Sequence, residues 1–234
     1  MEIKLLGNCS VLLKSKKSQI MLDPYFSNSG NLLYKRTTNV STYYKEIEHL
    51  DAILLSHSHF DHMDIKFLNK FKDKCTIYSP KLSLNTLIFK SKWIKKGQEF
   101  VVGDFSITVV QANHICPAVG YIIKSEGVTL YFAGDTYYGK FMKDISREHV
   151  IDIAMLPITY YLPPMTMGES GALKSLKDLT PKILIPMHQD IATRLPFAHT
   201  KVSISRLSDK ILEQNLRTQL IHLKNGECFN TDIN

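Results

Sequence analysis

One short stretch of the chain combines an apolar run with a dense set of metal-type ligands. Residues 52–55 are all apolar, which is typical of a buried strand, and the loop that follows has the pattern His-x-His-x-Asp-His. In an extended loop alternate side chains point the same way, so His57 and His59 can reach one ion. Asp61 and His62 lie just beyond and could serve a second ion. A solvated histidine cluster is the alternative, but the apolar run before the loop favours a metal site.

The composition is that of a globular chain that can bury a core. Of the 234 residues, 44% are hydrophobic and 22% are charged, and no apolar run approaches the length of a membrane span. The four cysteines are scattered, so neither a zinc ribbon nor a disulfide framework is indicated. The first residues do not resemble a signal peptide. We therefore expect a cytoplasmic protein with reduced thiols and a single domain over residues 1–234.

The net charge of +7 has two interpretations. It could attract phosphate-bearing substrates or nucleic acid. It could also come from lysines that are merely solvated, because turns and amphipathic faces collect lysine without any ligand. The second interpretation is favoured, since Lys14, Lys16 and Lys17 crowd what looks like a hairpin turn.

Later strand-like segments also end in ligand-type residues. His114, Asp135 and His188 each follow an apolar, β-rich segment. Any one of them alone would more often be a capping aspartate or a satisfied histidine. Because open α/β sheets place their chemistry at the carboxyl ends of strands, the set is better explained by one convergent site.

Apolar spacing predicts helices over about residues 65–71, 82–88 and 204–216. The spacing Thr166-x-x-Glu169 matches a capping box for another helix that reaches about Leu179. Residues 25–42 show no period. A loop this long inside a compact domain is either a wall of the substrate pocket or a plain surface excursion.

These motifs together resemble the metallo-β-lactamase superfamily. The His-x-His-x-Asp-His loop, a later lone histidine, Gly134-Asp135-Thr136 and Pro186-Met187-His188 occur in the order used by that family, over nearly the whole chain. Within the superfamily, residues 166–168 and 181–188 resemble the branch that contains ascorbate-6-phosphate lactonase. Members of that branch often have histidine directly after the first glycine. Here that position is Asn8, to which we assign no metal role.

The resemblance implies a fold and a set of ligands. The fold would be an α/β four-layer αβ/βα sandwich, in which two mixed β-sheets face each other and helices cover them. Two divalent ions, zinc or manganese with iron also admissible, would be bound. His57, His59 and His114 would hold one ion, Asp61, His62 and His188 would hold the second, and Asp135 would bridge both.

The function implied is that of a metal-dependent hydrolase. A metal-bridging hydroxide would attack a small ester, lactone or phosphorylated metabolite, and Asp61 would accept the proton afterwards. The substrate would be a small molecule. The basic net charge of the chain is compatible with an anionic substrate. Four residues outside the motifs are weaker candidates for substrate contacts: Tyr160, Tyr161, Arg194 and His199.

Two other functions stay open at this point. One is a nucleic-acid or cyclic-nucleotide phosphodiesterase with the same metal site, motivated by the basic charge. The other is a metal-binding or regulatory protein without turnover. We expect no membrane partner, and exposed sheet edges in such a fold would permit a homo-oligomer.

Overall fold

The fold was analysed in a computed structural model. The structure describes residues 1–28, 30–81, 90–161, 164–195, 199–200 and 203–231, with the backbone alone at 160–161 and 199–200. The helix predicted over residues 82–88 lies outside the described residues. Among the helices that are described, none is both long enough and apolar enough to cross a membrane.

Most of the described chain forms short strands. In chain order these are β1 (Glu2–Gly7), β2 (Ser10–Lys14), β3 (Gln19–Leu22), β4 (Tyr34–Arg36), β5 (Ala52–Leu54), β6 (Thr76–Pro80), β7 (Lys92–Ile94), β8 (Glu99–Val102), β9 (Phe105–Gln111), β10 (Val119–Ser125), β11 (Val128–Phe132), β12 (Ile153–Pro157), β13 (Tyr160–Tyr161), β14 (Ile183–Met187), β15 (Ile191–Thr193), β16 (His199–Thr200), β17 (Gln219–Leu220) and β18 (Cys228–Asn230). The helices are α1 (Tyr43–Glu46), α2 (Ile65–Phe71), α3 (Phe141–Glu148), α4 (Gly168–Leu179) and α5 (Ile204–Glu213).

The strands assemble into two seven-stranded mixed sheets and two short ribbons. The first sheet has the order β18-β1-β2-β3-β5-β6-β7, and the second has the order β17-β14-β12-β11-β10-β9-β8. In the first sheet β3, β5, β6 and β7 run parallel, and in the second β11, β12, β14 and β17 do. The ribbons pair β13 with β16 and β4 with β15.

Three apolar clusters divide the molecule into four layers. The central cluster lies between the sheets and takes residues from both, such as Leu13 and Leu54 from the first sheet and Phe105 and Ile123 from the second. A second cluster joins the outer face of the second sheet to α3, α4 and α5, and a third joins the outer face of the first sheet to α2. Period-two alternation along strands allows each sheet to feed a cluster on either face. The predicted αβ/βα sandwich is therefore confirmed.

Three local predictions need correction. The capping box before α4 is wrong, because the N-cap residue is Met167 and no side chain caps the helix; the Thr166 hydroxyl instead donates to the carbonyl oxygen of Thr159. The last helix ends at Glu213, before Leu216. The segment 25–42, expected to be without period, contains strand β4, which pairs with β15.

Candidate metal centre

The histidine loop begins where β5 ends, at an edge shared by both sheets. All three residues of β5 are buried, and the strand lies between β3 and β6. Two hydrogen bonds tie the start of the loop to the second sheet: the Tyr121 hydroxyl donates to the carbonyl oxygen of Leu55 (2.5 Å), and Val119 N donates to that of Ser56 (2.9 Å). The loop is therefore fixed against the strands that supply the remaining ligands.

The other predicted ligands arrive from the second sheet. His114 follows β9, Asp135 follows β11, and His188 directly follows β14. The backbone of His188 has a positive φ of 64°, and its N–H donates to the carbonyl oxygen of Asn8 (3.1 Å). Gly134 also has a positive φ (57°), and a Cβ at this position would lie 2.5 Å from Ser56 Cβ. Only glycine fits at this approach between the two sheets.

The structure brings three imidazoles together in a first group. The ring centroids of His57 and His59 are 4.7 Å apart, as are those of His57 and His114, and those of His59 and His114 are 4.8 Å apart. Burial lowers the pKa of all three, to about 4 for His114. Neutral imidazole is the form that binds a metal ion, so this electrostatic state suits a ligand set.

The other predicted ligands form a second group that shares Asp135 with the first. His188 Nε2 lies 3.2 Å from Asp61 Oδ2 and 3.3 Å from Asp135 Oδ2, and His62 Nε2 lies 3.4 Å from Asp135 Oδ1. Asp135 Oδ2 is also 3.9 Å from His57 Nε2. Asp135 therefore stands between the groups, where a bridging ligand would be.

The second group contains buried carboxylates whose negative charge favours cations beside them. Burial alone would lower the pKa of His188, but Asp135 and Asp61 raise it to about 9. Burial likewise opposes protonation of His62, yet Asp135, Asp61 and Asp23 raise its pKa well above the usual range. Two buried carboxylates thus draw protons onto the imidazoles that face them. A divalent ion can balance the negative charge of these carboxylates in place of the protons.

Several buried atoms of the site have no hydrogen-bond partner. They are His57 Nε2 and His114 Nδ1, together with His62 Nε2 and Asp135 Oδ1, which face each other at 3.4 Å without hydrogen-bond geometry. Leaving such groups unpaired in a buried site is costly, so a converging set of them needs a partner of another kind. Nitrogen and carboxylate oxygen are donors that divalent metals accept. The residues present therefore fit a metal centre.

Comparison with known proteins assigns the family. A model of the β-lactamase superfamily domain matches residues 18–189. The chain belongs to this superfamily. It is 31% identical to a UPF0173 metal-dependent hydrolase of Pyrococcus furiosus, over 97% of this chain and 98% of that protein.

Solved structures share the same fold. The isothiocyanate hydrolase from Delia radicum gut bacteria superposes with a TM-score of 0.81 at 20% identity, covering 98% of this chain and 99% of that one. A metallo hydrolase from Ignicoccus hospitalis gives 0.78 at 21% identity and 99% of both chains. The chain is thus a metallo-β-lactamase-fold member of a family of metal-dependent hydrolases, whereas the narrower resemblance to ascorbate-6-phosphate lactonase stays a prediction.

Two polar residues that hold the predicted ligands in place were not identified from the sequence. Asp23 Oδ1 accepts from Ser56 N (2.6 Å), and Asp23 Oδ2 accepts from Ser56 Oγ (2.5 Å) and lies 2.8 Å from His62 Nδ1. Asn8 Nδ2 donates to Asp61 Oδ2 (3.2 Å). The available signal was a polar residue directly after an apolar strand or within the first tight turn.

Two cysteines also lie close to the ligands. The sulfur of Cys116 and one ligand atom each of His57, His59 and His114 all lie within 4.8 Å of one another. The buried Cys9 is placed in the same way with His62, Asp135 and His188. The scattered spacing of the cysteines hid this arrangement, although Cys116 is only two residues from His114.

The predicted substrate contacts have different outcomes. The side chains of Tyr160, Tyr161 and His199 lie outside the described residues, although the backbones of β13 and β16 pair there. Arg194 is exposed, and its Nε donates to the carbonyl oxygen of Asn31 (3.0 Å).

A cavity of about 170 Å³ opens beside the metal centre. Its described lining consists of Asn31, Tyr34, His59, Phe60, Asp61, Asp135, Met165, His188 and Ile191.

Proposed function

We propose that this chain is a hydrolase that uses two divalent metal ions to cleave a small ester, lactone or phosphorylated metabolite. The observation that carries the proposal is the pair of ligand groups that meet at Asp135. The first group is His57, His59 and His114, and the second is Asp61, His62 and His188.

The chain's own residues would hold the ions and move one proton. When bound, two neighbouring divalent ions supply a hydroxide nucleophile near neutral pH and stabilise the oxyanion that develops on the substrate. Asp61 is the candidate proton acceptor. Burial raises its pKa, but His62 and His188 lower it further, below the usual range. The side chain therefore stays ionised, and Asn8 orients the oxygen that would take the proton.

The metal, location and assembly remain parts of this proposal. Imidazole and carboxylate donors admit zinc or manganese, and iron as well, because these ions share such ligands. We further propose a cytoplasmic location, and a homo-oligomer remains compatible with the fold.

The net charge of +7 is the one observation that favours a phosphodiesterase acting on nucleic acid. Against it, the described lining of the cavity contains no lysine or arginine. A steeply salt-dependent affinity for RNA, together with cleavage of RNA or cyclic nucleotides but not of esters, would support this second function.

The metal centre can be tested through Asp135. We expect protein purified without chelator to hold about two metal equivalents. Asp135→Asn should lower the retention of both, because one carboxylate faces both groups. Asp104→Asn, which changes an exposed carboxylate in the turn between β8 and β9 that accepts from the Ser15 hydroxyl, is the matched control and should keep full metal content. Elemental analysis after dialysis decides, and wild-type content in Asp135→Asn would contradict the ligand set.

The proton acceptor can be tested through Asp61. We expect Asp61→Ala to abolish turnover of esters, lactones, cyclic phosphodiesters and isothiocyanates, the last included because one fold neighbour is named for them. The first ion should largely remain, since His57, His59 and His114 are unchanged. Turnover at the wild-type rate would remove Asp61 from the mechanism. Absence of turnover in the wild-type protein with both metals bound would favour a binding role.

A further inference from the structure

The cavity beside the metal centre has two unlike sides. One side is formed by the ligands His59, Asp61, Asp135 and His188. The other side, here called the apolar wall, is formed by Tyr34, Phe60, Met165 and Ile191. A substrate that reacts at the metal centre can therefore place its remaining atoms against the apolar wall.

The aromatic part of the apolar wall is held in place before any substrate binds. Phe60 lies between two ligand residues in the chain, and its ring is stacked with that of Tyr34 (centroids 6.0 Å apart, 30° between planes). On another side it meets Tyr25 edge to face at 5.7 Å. Such aromatic pairs are favourable beyond the area that they bury. The wall is therefore a preformed surface.

The rest of the wall depends on the β4–β15 ribbon. Tyr34 pairs with Thr193, and Arg36 pairs with Ile191. Residues two apart on a strand share a face, so Tyr34 and Ile191 come from the same face of the ribbon. Two strands that are distant in the sequence thus place one aromatic and one branched side chain beside the same cavity.

Arg36 and Arg194, which lie in or next to the β4–β15 ribbon, are bound by protein groups. Arg36 Nη2 donates to the Tyr25 carbonyl oxygen (2.7 Å), Arg36 Nε donates to that of Ser27 (3.1 Å), and Arg36 Nη1 lies 3.7 Å from Asp190 Oδ2. Arg194 Nε donates to the backbone of Asn31. Neither arginine is among the described lining residues. Anionic groups such as phosphate are usually held by charged donors, and desolvating a charge against an apolar surface is unfavourable.

The cavity is also small. Its volume of about 170 Å³ lies below the roughly 300–1,000 Å³ of pockets that take drug-sized ligands. This size leaves room for one compact group beside the reacting atoms.

We propose that the substrate is a small, electrically neutral ester or lactone that carries one aromatic or branched apolar group, which packs on the apolar wall. The inference rests on the proposed function and narrows it, because it disfavours phosphorylated metabolites. The wall selects the substrate by contact, and the reacting carbonyl lies on the side of the cavity formed by the candidate metal ligands.

A pair of nearly isosteric esters tests the charge selectivity. With the metal-loaded wild-type protein, kcat/KM for 4-methylphenyl acetate should exceed that for 4-carboxyphenyl acetate by about tenfold or more, since only the second places a charge on the wall. The carboxylate makes the better leaving group, so intrinsic reactivity works against the expected result. Equal or faster hydrolysis of the charged ester would overturn the inference.

Binding of the two product phenols tests the proposed substrate class even if neither ester is cleaved. Calorimetric titration of the metal-loaded protein should show tighter binding of 4-methylphenol than of 4-hydroxybenzoate. The reverse order would overturn the substrate class. Absence of ester turnover with the expected binding order would count against the proposed function alone.

Variants of Tyr34 test the apolar wall itself. Tyr34→Ser should lower kcat/KM for 4-methylphenyl acetate about fivefold and change that for ethyl acetate much less, because only the aryl group loses a stacking partner. Tyr34→Phe keeps the ring and should stay within about twofold of wild type. Tyr43→Ser, which removes a half-buried tyrosine from α1, is the matched control and should leave the ratio of the two esters unchanged. If Tyr34→Ser keeps its metal and loses both esters equally, the wall does not contact the substrate.

Discussion

A single carboxylate orients imidazoles in both ligand groups. Asp23 holds Ser56 through its backbone N–H and its hydroxyl, and Ser56 Oγ lies 2.9 Å from His57 Nδ1. The same carboxylate is 2.8 Å from His62 Nδ1. Fixing the Nδ1 side of each ring leaves Nε2 free of hydrogen bonds and turned toward the site, as both Nε2 atoms are. Supporting contacts of this kind set the tautomer and the orientation of a ligand.

We expect Asp23→Asn to weaken metal binding without removing a ligand. An amide has one acceptor oxygen in place of two, so it cannot satisfy Ser56 and His62 together. The loss of affinity should be about 10–100-fold and larger for the second ion, because His62 touches Asp23 directly. Competition with a chromophoric chelator measures the two affinities.

The control for this prediction is Asp51→Asn. Asp51 also accepts a backbone N–H, that of Gln19 (2.7 Å), but it lies at the start of β5, opposite the end that carries the ligands. Its substitution should leave both affinities within about twofold of wild type. Equal losses in the two variants would mean that general destabilisation, not orientation of His62, is responsible.

At the scale of elements, α4 shows where sequence patterns stop being informative. The Thr-x-x-Glu motif predicted a helix that reaches about Leu179, and this end of the helix is confirmed. The same stretch predicted that Glu169 would cap its own helix, which is wrong. Glu169 instead reaches α5, where it pairs with Arg206 (2.8 Å) and with Lys210. Helix formation depends on local spacing, whereas the partner of a long polar side chain depends on packing that the local sequence does not contain.

Removing the charge of Glu169 should therefore weaken the contact between α4 and α5. We expect Glu169→Gln to lower the free energy of unfolding by about 0.5–1 kcal/mol at neutral pH and low salt, and by less at high salt. Asp144→Asn, which breaks an exposed ion pair within α3, is the control and should have a smaller effect. Urea unfolding measures both variants, and equal effects would contradict a special role for the link between the helices.

The same contact should depend on pH. Burial raises the pKa of Glu169, but Lys210 and Arg206 lower it further, so the net shift is downward. A carboxyl with a depressed pKa in the folded state contributes stability that is present above its unfolded pKa and is lost as pH falls through the folded value. The difference between wild type and Glu169→Gln should accordingly shrink below about pH 4. A difference that stays constant as the pH falls from 7 to well below 4 would exclude the ion pair as its cause.

In the candidate site, as in α4, some features could be predicted from the sequence and others could not. The convergence of its candidate ligands was predictable because each lies in the segment after a strand, and the carboxyl ends of neighbouring strands meet. The apolar wall was not predictable, because Tyr34 and Ile191 come together only through the β4–β15 pairing. Phe60 did carry a signal, since it lies inside the histidine motif. Side chains that are brought together by the pairing of strands distant in the sequence leave no recognisable pattern in the local sequence.

At the scale of the whole molecule, the metal centre lies across the two sheets. The loop after β5 of the first sheet supplies His57, His59, Asp61 and His62. Strands β9, β11 and β14 of the second sheet deliver His114, Asp135 and His188. Each ligand group therefore takes members from both sheets. Any ion bound by either group would join the two halves of the sandwich at one edge.

Metal binding should consequently stabilise the fold as a whole. A ligand at 100 times its dissociation constant adds about 2.7 kcal/mol to the free energy of unfolding, which for a chain of this size corresponds to a rise in Tm of roughly 5–10 °C. We expect this rise when metal is returned to chelator-treated protein. His188→Ala should show a smaller rise because it removes a ligand of the second group, whereas His49→Ala, at an exposed histidine paired with Asp51, should respond like wild type. Differential scanning calorimetry measures all three proteins. If wild type bound two ions with no change in Tm, the unfolded chain would bind them as tightly as the folded chain, and the ions would not join the two sheets.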